Sequence, residues 1–269
     1  MEAIRRIARQ RLGYRSPVYR LAAQTLTDGM TLWREGLATY RQIARLRAAA
    51  GDGGKPVAIQ FRSLQHPLYL RPGTDDLNAA LNNIVRREYG YQPPPHASPK
   101  VMVDAGAYIG DTAVFFLNRY PSITVHALEP NPESRAMAER NLAPYGDRVN
   151  LIPAALSTTV GSVLFGGTEM GARIGEGGEF EVATTTLPTL LRRIPEGHID
   201  VLKMDIEGAE MELLSDDVSG WMPHVGLMIV ETHGPEITEK LQEVMASQGW
   251  QAIRYRNLFY CSREGLNNR

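Results

Sequence analysis

The sequence predicts an α/β fold: a mixed, seven-stranded sheet with an antiparallel last strand, preceded by a helical extension and a small β-hairpin. Three observations predict it. From residue 100 onward, short apolar runs alternate with helical segments, which is the texture of βαβ units. The last two runs are separated only by Arg256 and Asn257, too few residues for the crossover that parallel strands need, so they must pair antiparallel. The first run leads directly into a glycine loop that opens a helix. At 269 residues, with 43% hydrophobic content, a chain of this size buries roughly three quarters of its unfolded surface.

Taken in order, residues 1–50 hold ten Arg against Glu2, Asp28 and Glu35, a balance of +7 that leaves −8 for the remainder. Met30, Trp33, Leu37, Tyr40 and Ala44 recur at steps of three and four, so one face of a helix is apolar and the other arginine-rich. Such a helix is expected to pack on the main domain or on a second subunit, with a surface for anionic lipid or an acidic partner as the other reading. The breaker cluster at 51–54 introduces two short apolar runs, Val57 to Phe61 and Pro67 to Leu70, which fit a hairpin. Thr74 or Asp75 can cap a helix carrying Leu77, Leu81, Ile84 and Val85 on one face, before Gly90 ends it. The proline-rich stretch Gln92 to Pro99 reads as a linker, giving three segments: 1–55, 56–99 and 100–269.

The strands are expected at 101–104, 124–129, 149–154, 199–205, 227–231, 250–255 and 258–262. Between the third and fourth lies an insertion in which Val163 to Phe165 and Phe180 to Thr185 can pair around a loop rich in glycine between Gly166 and Gly178, a loop expected to be mobile.

Composition excludes several classes. A formal net charge of −1 gives no global excess for binding nucleic acid, so no nucleic-acid partner is expected. The single Cys261 cannot form an intramolecular disulfide. No run approaches the ~20 apolar residues of a membrane span, and the arginine-rich start lacks a following apolar stretch, so a cytoplasmic location is expected.

The loop Asp104-Ala-Gly-Ala-Tyr-Ile-Gly110-Asp-Thr112 stands at a strand-to-helix turn, where a ligand can approach backbone without side-chain obstruction. Glu129 ends the second strand nineteen residues after Gly110, where an acid can accept hydrogen bonds from both hydroxyls of a ribose. A dinucleotide would bring pyrophosphate to this turn, yet the strand ends in Asp104 and the loop lacks the G-x-G-x-x-G arrangement. A ligand with an ammonium group and a ribose but no phosphate suits two carboxylates better, and S-adenosylmethionine has those features. The plainer alternative is an Asp104 that caps the following helix and a Glu129 on the surface.

These residues, together with Leu128-Glu-Pro-Asn131, Lys203-Met-Asp-Ile-Glu-Gly-Ala-Glu210 and Val230-Glu-Thr-His233, resemble the FkbM family of S-adenosylmethionine-dependent O-methyltransferases. The resemblance runs over about residues 57 to 262 and leaves the first fifty outside. It implies a Rossmann-like class I methyltransferase fold. It also implies that Asp104, Ala105, Gly106, Tyr108, Gly110 and Thr112 line the methionine end of the cofactor, that Glu129 takes the ribose and that Pro130 and Asn131 lie near the adenine. Ala154, Ala155 and Ser157 stand where many such enzymes carry a side chain that reads the adenine, so backbone contact at Ala155 is expected. Thr186-Leu-Pro188 replaces a common Thr-Leu-Asp.

Methyl transfer from a sulfonium is a direct displacement, so the protein mainly aligns an oxygen nucleophile, and an alcohol must also lose a proton. Asp205, Glu207, Glu231 and His233 all fall at the carboxyl ends of central strands. His233 has the intrinsic pKa of a base near neutrality, and Asp205 is expected to position cofactor or acceptor. The bland readings are a hydrogen-bonded structural histidine and a helix-capping aspartate. No dense carboxylate pattern of metal-site type is present, so no metal is expected. The acceptor is expected to be a hydroxyl of a sugar, glycan, lipid-linked saccharide or secondary metabolite. A homo-oligomer and a peripheral membrane or subunit contact through residues 1–50 complete the expected partners. A nucleic-acid methyltransferase and a non-catalytic cofactor-binding scaffold are the alternatives. The Asp/Asn-Pro-Pro-aromatic motif of amino-directed enzymes is missing after the fourth strand.

Overall fold

The structure, a computed structural model, describes residues 17–49, 54–91, 98–166, 173–174, 180–207 and 209–263. The first arginines, most of the proline-rich linker and most of the glycine-rich loop lie outside them. The chain divides into two compact units, Met1–Glu88 and Tyr89–Arg269.

In the first unit, helix α1 (Pro17–Ala48) is broken at Gly36, whose φ of 87° and ψ of 175° leave the helical region. The chain folds back there, since Asp28 and Arg47, nineteen residues apart, pair at 2.8 Å, so the apolar spacing read from the sequence is divided between two helical arms. Thr27, Thr31, Glu35, Thr39, Ile43 and Leu46 are buried, while Trp33 is 77% and Leu37 52% exposed. A polar face can be buried because each group on it is satisfied. The hydroxyls of Thr27, Thr31 and Thr39 donate to the carbonyls of Ala23, Thr27 and Glu35 one turn back. Glu35 accepts from both the backbone N–H and the hydroxyl of Ser63, at 3.0 and 2.9 Å. Arg86 reaches back to the Thr27 hydroxyl, and Arg34 donates to the carbonyl of Val85 at 2.7 Å. The helical segment and the hairpin–helix segment, separate in composition, are therefore one unit. The hairpin is β1 (Val57–Ile59) with β2 (Leu68–Leu70), paired antiparallel. Helix α2 (Asp76–Ala80) continues as a π-helical turn over Leu81–Val85. Asp75 sits at its N-cap without a side-chain cap bond, and the Thr74 hydroxyl accepts from the Asp76 N–H at 3.3 Å.

The second unit carries the expected sheet. Its strands are β3 (Val101–Ala105), β4 (Thr124–Leu128), β5 (Val149–Ile152), β10 (Ile199–Met204), β11 (Val225–Glu231), β12 (Gln251–Tyr255) and β13 (Leu258–Ser262). Their order is β12-β13-β11-β10-β3-β4-β5, with β13 antiparallel to both neighbours. The central strands are largely apolar because helices cover both faces of a parallel sheet, and every residue of β3, β10 and β13 is buried, Asp104, Asp200 and Lys203 included. The helices are α3 (Asp111–Arg119), α4 (Pro132–Leu142), α5 (Leu187–Arg193), α6 (Glu210–Ser215) and α7 (Pro235–Ser247). Pro188 lies in the first turn of α5, whose Thr186 cap accepts from Thr189 N–H at 3.2 Å.

The insertion is a separate small sheet of β6 (Ala154–Leu156), β7 (Gly161–Gly166), β8 (Arg173–Ile174) and β9 (Phe180–Thr185), in the order β6-β9-β7-β8. The expected pairing is present, with Val163 opposite Val182. The third strand ends earlier than expected: Pro153 cannot donate to the ladder, and the chain crosses there from β5 into the insertion at β6. No helix among the described residues is long and apolar enough to cross a membrane.

Candidate active site

The site forms where β3, β4, β10 and β11 end together at one edge of the sheet, the usual place for a ligand in a parallel α/β sheet. The loop after β3 bends through left-handed backbone at Gly106 (φ 78°), Tyr108 (φ 52°) and Gly110 (φ 79°). Its start is pinned to the neighbouring strand, since the N–H groups of Gly106 and Ala107 both donate to the Leu128 carbonyl, at 3.1 and 2.9 Å. A Cβ on Gly106 would fall 1.9 Å from the Asp205 carbonyl oxygen. Glycine is therefore required there by the close approach of the end of β10, before any ligand is considered. Ala105, Gly110 and Thr112 are buried, with Thr112 in the first turn of α3.

Glu129 is only 6% exposed. One carboxylate oxygen accepts from the Tyr108 N–H at 2.7 Å and the other from the Asn131 N–H at 2.8 Å. Burial pushes its carboxyl up to about 7, against the lowering effect of those two backbone donors. It is not the surface acid of the plainer reading. Pro130 and Asn131 follow it directly, but the Asn131 side chain is committed as the cap of α4, accepting from Glu133 and Ser134 N–H groups. Ala155, in β6, pairs with Thr184 of β9, and its side chain is buried with Phe165 and Val182 in the core of the insertion.

Asp104 is engaged with the neighbouring strand. It is fully buried, and its carboxylate lies 3.2 Å from the ammonium of Lys203, its cross-strand neighbour in β10. Lys203 also donates to the Gly106 carbonyl and stands 3.6 Å from Asp205. Burial opposes its charge, but Asp104, Asp205 and Asp111 outweigh that and raise its pKa. Asp104 is not the N-cap residue of α3, which is Gly110; it holds the lysine that fixes the loop. Sequence reasoning passed over Lys203, although a lysine inside an apolar central strand signals a buried carboxylate partner.

Asp205 and His233 do come together. The His233 Nε2 lies 3.6 Å from both Asp205 Oδ1 and Glu207 Oε2, and its Nδ1 lies 3.1 Å from Glu210 Oε1. Glu210 is fully buried and also accepts from the Ile206 N–H at 3.0 Å. As a carboxylate can only accept, Nδ1 carries a proton, and Nε2 lies between Asp205 and Glu207. Burial would lower the imidazole's pKa, but the hydrogen bond and charge of Glu210, with Asp205 and Glu207, carry it to about 9. Burial raises the carboxyl of Glu207, held at a left-handed φ of 54°. Asp205 is not the cap of α6, which is Ala209. Asp205 also accepts from the Tyr89 hydroxyl at 3.1 Å, and Glu231 stands 3.4 Å from the same hydroxyl. Tyr89 was invisible in the sequence because it lies upstream of the proline-rich stretch, outside every motif. Asp205, Glu207 and His233 also offer ligand atoms within 4.8 Å of one another.

The residues fit S-adenosylmethionine. A buried acid preset by backbone donors suits a ribose diol, a glycine-lined turn leaves backbone accessible, and the acids at the strand ends suit a cationic ligand without phosphate. Fold and site together define a class I methyltransferase, with S-adenosylmethionine as methyl donor. The chain belongs to the FkbM family of methyltransferases: residues 104–251 match the Methyltransferase FkbM domain. It is similar to Methyltransferase sdnD of Sordaria araneosa, with 27% identity over 196 residues, 58% of this chain and 75% of that protein. A shorter likeness, 34% over 58 residues, joins it to the ribosomal RNA small subunit methyltransferase H of Rhodococcus opacus (strain B4), covering 22% of this chain and 17% of that one. Among solved structures, the precorrin-6Y C5,15-methyltransferase of Geobacter metallireducens GS-15 aligns with a TM-score of 0.39 and 16% identity over 62% of this chain and 80% of that one.

Proposed function

We propose that the protein is an O-methyltransferase acting on a hydroxyl of a sugar, glycan or secondary metabolite. The observation that carries this reading is the His233 cluster beside the glycine loop, an acid–base group with its tautomer fixed by a buried carboxylate. An alcohol needs such a group, because its proton must leave as the new C–O bond forms. The bound donor supplies a methyl group on a positively charged sulfur. Glu129 holds the ribose, the Gly106–Gly110 loop shapes the pocket floor, and Asp205 and Glu207 orient the acceptor hydroxyl. The acceptor's proton passes to Nε2 of neutral His233, and Glu210 steadies the imidazolium that results. The positive charge of a bound donor would favour the neutral imidazole.

Incubation with radiolabelled S-adenosylmethionine and fractionated cell extract tests the reading. Label in a carbohydrate or small-molecule fraction, lost with His233→Ala, is the expected result. Label in RNA or protein would overturn the O-directed assignment and leave the methyltransferase class intact.

A further inference from the structure

Tyr89 joins the ends of two strands through one oxygen. The residue is buried, and its hydroxyl lies 3.1 Å from Asp205 Oδ2 and 3.4 Å from Glu231 Oε2, at the carboxyl ends of the adjacent parallel strands β10 and β11. Its ring centre is 5.7 Å from the Lys203 ammonium. The segment that carries it is anchored on the β12–β13 hairpin. Tyr91 stacks on Tyr255 with ring centres 4.0 Å apart and planes 9° from parallel, and its N–H donates to the Tyr260 hydroxyl at 3.4 Å. A ring held in this way would pack as well if it were phenylalanine, and a buried hydroxyl costs free energy unless it is bonded. What the oxygen adds is its contact with the two carboxylates.

The two oxygens of Asp205 have different surroundings. Oδ2 faces the Tyr89 hydroxyl at 3.1 Å and the Lys203 ammonium at 3.6 Å, whereas Oδ1 faces His233 Nε2 at 3.6 Å. That last separation is close enough for the charges to act and too long for a hydrogen bond. It is the separation expected of a carboxylate held back on its other side. Lys203 does not hold it alone, since its ammonium is also engaged by Asp104 at 3.2 Å and by the Gly106 carbonyl. The phenol carries one proton and donates to one carboxylate at a time, and its shorter contact is with Asp205.

We propose that Tyr89 is a positioning residue, whose hydroxyl holds Asp205 back from His233 so that Nε2 is not tied up in a hydrogen bond to that carboxylate. Its catalytic meaning rests on the reading of His233 as the base, but the coupling is measured without turnover, so the two fail in different experiments. The His233 imidazole is titrated by nuclear magnetic resonance in the full-length protein carrying isotope-labelled histidine, with its signals identified by their loss in His233→Gln. The groups that face it are Asp205, Glu207 and Glu210, and Asp205 is in turn faced by Lys203 and Tyr89. Tyr89→Phe keeps the ring and removes the oxygen. Released on that side, Asp205 closes on the imidazolium, and the His233 midpoint should rise by about half to one pH unit, the equivalent of one hydrogen bond gained. In an Asp205→Asn background the same substitution should leave the midpoint where Asp205→Asn alone sets it, because the effect passes through that carboxylate. A general disturbance of the fold would not depend on Asp205, and circular dichroism matching the parent protein would establish that the variants fold. A midpoint that stays or falls in Tyr89→Phe, or a rise that persists in the Asp205→Asn background, would overturn the proposal. Whether His233 is the base is read separately, from the kcat of His233→Ala.

Discussion

Two side chains set the pH behaviour of the site. Glu129 titrates at about 7 because burial opposes its charge, whereas ribose hydroxyls donate to the ionised form. Cofactor affinity should therefore rise with pH through about 7. Below that pH, binding should release a proton, measurable by calorimetry in buffers of different ionisation enthalpy, and Glu129→Gln should abolish the release. Glu129→Ala should weaken binding by about 1.5–3 kcal/mol, the range for a hydrogen bond to a charged group. His233 titrates at about 9 in the free protein. If its neutral form takes the acceptor's proton, kcat/KM should climb through that value and level above it. His233→Ala should lose the climb and about 10²- to 10⁴-fold in kcat with cofactor affinity little changed, and a variant of normal kcat would exclude it as the base. The sign for stability is the reverse. A pKa raised from 6.5 means that the ion pairs of His233 contribute fully below pH 6.5 and are lost as pH rises through about 9.

At the scale of elements, Gly106 has a packing role that its motif does not disclose. Substituting it was expected to obstruct the cofactor, but the Asp205 carbonyl already fills the space. Gly106→Ala should thus lower the thermal midpoint of the free protein, as well as weakening cofactor binding; an unchanged midpoint in a folded variant would contradict the packing seen. The sheet was readable because parallel strands are near-continuous apolar runs and the Arg256–Asn257 turn permits only a hairpin. The glycine loop, Glu129 and the His233 cluster were readable because their chemistry sits at strand ends. Lys203 and Tyr89 were not, since their significance lies in distant partners, Asp104 in one case and Asp205 with Glu231 in the other. For α1 the spacing Met30, Trp33, Leu37, Tyr40 and Ala44 runs across a break at Gly36, where the chain folds back far enough for Asp28 to pair with Arg47, so the stripe read from the sequence is not one helix face.

For the whole molecule, the division at Tyr89 predicts two unfolding transitions in scanning calorimetry, one for each unit. S-adenosylmethionine should move only one of them, since ligand stabilises what it binds, by about 2.7 kcal/mol at a hundredfold excess over Kd. A single transition that shifts as a whole would mean the units unfold together. The same division bears on how this chain is inherited and cut. The family match begins at Asp104, and the proline-rich stretch Gln92 to Pro99 precedes it. Either boundary leaves Tyr89 on the wrong side, although its hydroxyl touches both Asp205 and Glu231. The matched portion thus omits a side chain that touches the proposed acid–base cluster, and a gene fusion or shortened homologue joined at the motif would keep every signature residue while losing that contact.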